Sequence, residues 1–130
     1  MSNRYAEEKF REAVTAFSGL ARNLRKPGGG DASQSDFRDV LTDLEAAIPG
    51  LDGVMRGRAL VLKGECHFNI FWKTLGLTAF YDPDRAPTSP PTEALECALE
   101  GQRILQAEHS TSDLQWADSV VQKLRDSGSA

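Results

Sequence analysis

Apolar residues recur along this chain in steps of three and four, the period of a helix with one buried face. Between Arg4 and Lys26 the stripe is Phe10, Ala13, Val14, Phe17, Leu20, Ala21 and Leu24. Glu7 and Glu8 lie in its first turns and Arg22, Arg25 and Lys26 in its last, an order that suits the helix macrodipole. Pro27-Gly28-Gly29-Gly30 ends it, since proline cannot continue the ladder and glycine leaves the backbone free. The polar residues that follow complete a flexible link over 27–35. A second stripe then runs through Phe37, Val40, Leu41, Leu44 and Ile48, with Ser33, Ser35 or Asp36 as cap and Pro49-Gly50 as terminator.

The third segment, from Leu51–Val54 to Leu75 or beyond, is different. Leu60, Val61, Leu62, Phe68, Ile70, Phe71 and Trp72 wrap most of its circumference. A helix apolar nearly all round is central and touched on several sides. Gly76 weakens or ends it, although Leu77 to Tyr81 could carry it further, and a proline-rich loop over 76–91 is expected, holding four of the six prolines. A fourth helix, capped by Thr88 or Ser89 with proline in its first turn, turns Ala94, Leu95, Ala98, Leu99, Ile104 and Leu105 inward. After a break at His109–Ser112, a fifth carries Leu114, Ala117, Val120, Val121 and Leu124, and 127–130 should fray. No segment alternates at period two, so the fold class expected is all-α: about five antiparallel helices in a single domain, 1–130.

Two pieces resemble the helix pairs of the tetratricopeptide repeat family. Arg58–Phe68, with Gly64 where two helices approach closely, looks like the first helix of a repeat. Ala94-Leu95-Glu96-Cys97-Ala98 through Ile104-Leu105 looks like its second, and Phe37–Pro49 is similar to the second helix of a preceding repeat. Small residues every three or four positions let antiparallel helices pack tightly. The resemblance implies tetratricopeptide-like hairpins closed by a C-terminal capping helix, where composition alone allows an irregular helical bundle. It also implies that Arg58, Val61, Glu65, Phe68, Asn69 and Trp72 approach a concave, partner-binding surface, with Phe80 and Tyr81 beside them. Here the chain departs from the family. Val40 and Ala94 lie much farther apart than the repeat period of about 34 residues, and His67 stands where an aromatic is usual. Val61 and Glu65 replace the Lys and Asn of the two-carboxylate clamp, which argues against a C-terminal carboxylate ligand.

Composition narrows the function. The chain has 15 basic and 19 acidic residues, a formal charge of −4, and is 40% hydrophobic. That balance gives no general attraction to nucleic acid or anionic lipid. No apolar run approaches the roughly 20 residues that cross a bilayer, and the charged N-terminus has no apolar signal core, so a cytoplasmic location is expected. Cys66 and Cys97 fit buried thiols.

No metal or cofactor is expected. Adjacent Cys66 and His67 point about 100° apart on a helix, and with Cys97 and His109 they match no zinc spacing. Gly28-Gly29-Gly30 follows a helix and lacks the Lys-Ser/Thr step of a phosphate loop. Asp82 and Asp84 flank Pro83 as turn residues. No general acid–base set is legible, so no enzyme is expected. The expectation is a non-catalytic interaction module whose partner is another protein or peptide, held by the aromatic edge of the third helix and the loop after it. The alternative is a small helical subunit of a larger, nucleoprotein-type complex, using Arg4, Lys9, Arg11, Arg22, Arg25 and Lys26 as a basic strip.

Overall fold

A computed structural model describes residues 3–24, 34–81 and 90–128, with the backbone alone at 21–24, 34, 35, 72–81 and 128. It is all-α, with no strand among the described residues. The helices are α1 (Arg4–Leu24), α2 (Gln34–Ala47), α3 (Gly53–Tyr81), α4 (Thr92–Ala107) and α5 (Thr111–Gly128), with a 3₁₀ turn over Ile48–Gly50.

Asn3 starts α1: its side-chain oxygen accepts from the Ala6 amide at 2.7 Å, and its own amide donates to the Gly50 carbonyl at 3.0 Å. The first bond satisfies an orphan donor of the helix end. The second pins the beginning of α1 to the turn after α2, so the two helices run antiparallel. Gly50 makes this approach feasible, because a Cβ there would collide with the Asn3 side chain and Ala6 Cβ.

The spine is α3, which packs against α2, α4 and α5. Its two faces serve two hydrophobic clusters. Ala59, Leu62 and Cys66 join Phe10 and Ala13 of α1 and Val40 and Leu44 of α2. On the other side, Val61 joins Ala94, Ala98 and Leu105 of α4 and Val120, Val121 and Leu124 of α5. This division explains why no narrow stripe was visible in the third segment. The α3–α4 seam is the closest, with Gly57 facing Gly101 and Gly64 facing Ala94 and Ala98. The low residue numbers of α3 meet the high ones of α4, which makes this pair antiparallel too.

Between α4 and α5 the Ser110 amide bonds the Leu105 carbonyl and the His109 amide the Gln106 carbonyl, both characteristic of a Schellman ending. His109 takes the left-handed position, with φ at 57°. Ser110 stands at the start of α5, where its carbonyl accepts from the Leu114 amide at 3.0 Å and its hydroxyl donates to Asp113 Oδ2.

Several boundaries differ from those the sequence suggests. α3 continues through Gly76 to Tyr81, so 76–81 is helix and not loop. One interior glycine costs about 1 kcal/mol relative to alanine, too little to break a long helix. α4 opens at Thr92 with Pro91 at the cap and no side-chain cap bond. Pro91 keeps Pro90 out of the α region, which delays the helix past both prolines; Thr88 and Ser89 lie outside the described residues. α2 already includes Gln34 and Ser35 of the expected link, while 27–33 lies outside the described residues. α5 includes Ser127, whose hydroxyl bonds the Lys123 carbonyl at 2.8 Å, and reaches Gly128, so fraying does not begin at 127.

Candidate functional site

The inward stripe of α1 predicts that Val14 is buried, yet it is 39% exposed. The cause is topological. α2 covers one side of α1, whereas the side turned toward α5 is left open. There a groove of about 280 Å³ is lined by Phe10, Val14, Phe17 and Ser18 of α1, Arg58, Leu62 and Glu65 of α3, and Trp116 of α5. The three odd-numbered helices form its walls and floor. Arg58 to Glu65 spans about two helical turns, so the groove is roughly 10 Å long.

Its apolar walls are held by the core behind them. Phe10 and Leu62 belong to the α1–α2–α3 cluster, and Phe17 packs edge-on against the fully buried Phe37 with ring centroids 6.1 Å apart. Trp116 packs against both clusters and so closes the seam between the two helical layers. Its indole Nε1 donates to Glu65 Oε2 at 3.0 Å, while Lys123 Nζ lies 3.8 Å from Glu65 Oε1. At the other end Arg58 Nε donates to Asp113 Oδ2 at 2.9 Å. Both α3 side chains therefore bridge to α5, and both bridges link nearby positions in two parallel helices.

Of the residues expected to face a partner, Arg58 and Glu65 do line the groove. Val61 does not: it is fully buried against α4 and α5. The family-based placement put it on the concave side, but one residue further along a helix turns a side chain by about 100°, and Leu62 takes that position instead. Phe68 packs partly against the α4–α5 cluster, with the Lys123 ammonium 5.9 Å from its ring centroid. Asn69 donates back to the Glu65 carbonyl of its own helix at 3.1 Å. The side chains of Trp72, Phe80 and Tyr81 lie outside the described residues.

Sequence reasoning missed Trp116, Phe10 and Phe17 as groove residues. The latter two read as ordinary core positions of a stripe. Trp116 sits at the edge of the fifth stripe, one turn before Val120, and an aromatic at a stripe's edge was the available signal.

A second polar cluster lies where α2, α3 and α4 meet. Lys63 Nζ is 2.8 Å from Glu93 Oε1 and 3.8 Å from Glu45 Oε1, and its side chain is only 13% exposed. Burial works against the Lys63 charge, but the Glu93 hydrogen bond and the surrounding charges outweigh it and raise its pKa. Burial lowers the pKa of His67, whose Nε2 is buried without a hydrogen-bond partner among the described residues. Burial also pushes the Cys66 and Cys97 thiols up, which keeps them protonated and poor nucleophiles at neutral pH. Among the described residues no three His, Cys, Asp or Glu side chains are grouped to hold a metal ion. No helix of the described residues is long and apolar enough to cross a membrane.

No protein-family model, no curated protein and no solved structure matches this chain. Its class is defined by architecture: an all-α chain whose first, third and fifth helices line an open apolar groove.

Proposed function

We propose that this chain is a non-catalytic protein-interaction module of tetratricopeptide-like type, and that it holds a segment of another protein in the groove between α1, α3 and α5. The observation that carries the reading is the open groove itself. Val14 is exposed beside the partly buried Phe17 and Trp116, on helices whose other faces are packed, so the apolar surface is formed before any partner arrives. Preformed apolar surface rimmed by polar groups is the usual mark of a recognition site. Successive antiparallel helices, close approach at small residues and a groove walled by alternate helices support the tetratricopeptide-like description.

The groove lies at the lower end of the roughly 300–1,000 Å³ range of typical small-molecule sites and is open along one side. Those features favour side chains projecting from a peptide over an enclosed ligand. Two large apolar side chains buried there contribute roughly 3–6 kcal/mol before the costs of association. The groove alone therefore supports weak, reversible binding. The nucleoprotein alternative is less favoured, because acidic residues outnumber basic ones 19 to 15 and Arg4, Lys9 and Arg11, the strip's described side chains, do not line the groove.

Affinity purification followed by mass spectrometry, run with wild type and Val14→Asp side by side, tests the proposal. Proteins retained by wild type and lost from an equally stable V14D variant are the expected result. The same proteins recovered in equal amount with both would overturn it.

A further inference from the structure

From the polar ends of the groove we infer the chemistry of its occupant: a peptide segment that lays large apolar side chains along Phe10, Val14 and Phe17 and sets a side-chain carboxylate against Arg58. The inference rests on the interaction-module reading and adds a charge and a direction to it.

The two ends of the groove are not equivalent. At the Glu65 end the carboxylate is already occupied on both oxygens, by the Trp116 indole and the Lys123 ammonium. A partner gains little by placing a charge there. At the Arg58 end only Nε is used, in its bond to Asp113, and Asp113 is also held by the Ser110 hydroxyl. The two terminal nitrogens of Arg58 have no hydrogen-bond acceptor among the described residues, and the side chain is 45% exposed. A guanidinium fixed through Nε presents its remaining donors in a plane, the geometry that a carboxylate accepts. Positioning by Asp113 also means that little side-chain entropy remains to be lost on binding.

Between the two ends lie apolar walls about two turns long, enough for two large side chains spaced one helical turn apart. The occupant is therefore apolar along its length and acidic at one end. A basic or uncharged segment leaves the terminal donors of Arg58 unmatched where a partner covers them, which costs binding free energy.

The test is selection of random linear peptides displayed on phage against the immobilised full chain. Parallel selections use the V14D, Arg58→Gln and Arg58→Glu variants, each first checked for an unchanged melting temperature. Wild type should enrich peptides with paired large apolar residues and a neighbouring Asp or Glu. A synthetic peptide of that kind should bind R58Q about two- to fivefold more weakly, the range of a partly exposed ion pair. R58E should instead select Lys or Arg at the same place, and V14D should select none of these peptides. Apolar peptides without acidic bias, lost on V14D but bound equally by R58Q and R58E, would overturn the carboxylate inference while leaving the groove reading intact. Peptides bound equally by wild type and V14D, or no enrichment on wild type, would overturn both.

Discussion

Gly57 and Gly101 meet backbone to backbone across α3 and α4: a Cβ on Gly101 would lie 2.6 Å from the Gly57 carbonyl oxygen. The same Cβ would lie 2.7 Å from Val61 Cγ2 and 2.9 Å from the Val61 amide nitrogen. Two of these three obstacles are backbone atoms of the central helix, so the seam cannot yield by a rotamer change. Alanine at Gly101 should therefore cost about 1–3 kcal/mol of stability through overpacking, despite its better helix propensity. Gly19 is the control, since no atom stands within 4 Å of a Cβ there. Gly19→Ala should gain about 0.5–1 kcal/mol. Urea denaturation of both variants checks the pair, and a stabilised G101A would show that the helices can part at this seam without loss.

His109 holds a left-handed backbone conformation at the end of α4, with no Cβ relief. Glycine adopts it freely, so His109→Gly should raise stability by roughly 0.5–1 kcal/mol. Thermal melting of wild type and variant in the same buffer checks the gain. A lower melting temperature would contradict it.

The cluster around Lys63 gives the fold an acid-sensitive joint. His67 has a folded pKa below its ordinary value because burial disfavours the imidazolium. The unfolded chain then binds the proton more readily, so stability is present above about pH 6.5 and falls as pH drops toward the folded pKa. Glu93, held below the usual carboxylate range by its bond to Lys63, adds to the loss at still lower pH. Between pH 7.5 and 5.5 the melting temperature should fall, and His67→Phe should flatten that slope while removing a buried, unpartnered nitrogen. An equal slope in H67F would assign the acid sensitivity elsewhere.

The floor of the groove and its wall should respond differently to mutation. Leu62 is buried beneath the groove, and Leu62→Ala should cost about 2–5 kcal/mol as packing is lost. Val14→Asp, at a half-exposed position on the wall, should change stability by no more than about 0.5 kcal/mol. A large loss from V14D by chemical denaturation would mean that Val14 serves the core and not a partner.

The helices were legible because each outer one buries a narrow stripe. Phe37, Val40 and Leu44, or Val120, Val121 and Leu124, mark their buried faces by spacing alone. Gly64 was legible as a point of close approach for a similar reason: small residues recur where helices touch. The groove was harder to read because exposure depends on what fails to cover a face. Val14 belongs to the same stripe as Phe10 and Ala13, and only the placement of α5 leaves it open. Val61 and Leu62 are neighbours in sequence and both are buried, yet they serve opposite sides of α3. An all-apolar helix carries no phase from which to tell those sides apart, so assigning Val61 to the groove failed where Arg58 and Glu65 succeeded. The end of α3 was left open between Gly76 and Tyr81 because local propensity is a weak guide within a long helix.

The most direct test of the groove as the partner-binding surface is site-specific photo-crosslinking in the native source. A benzophenone side chain at Val14 should form adducts with a partner protein, and the same group at Ala46, exposed on α2, should not. Adducts at Val14 that vanish when Phe17→Ser is added are the expected result. Adducts equally strong from Ala46, or none from Val14 while Ala46 crosslinks a partner, would place the interaction on another face and contradict the account.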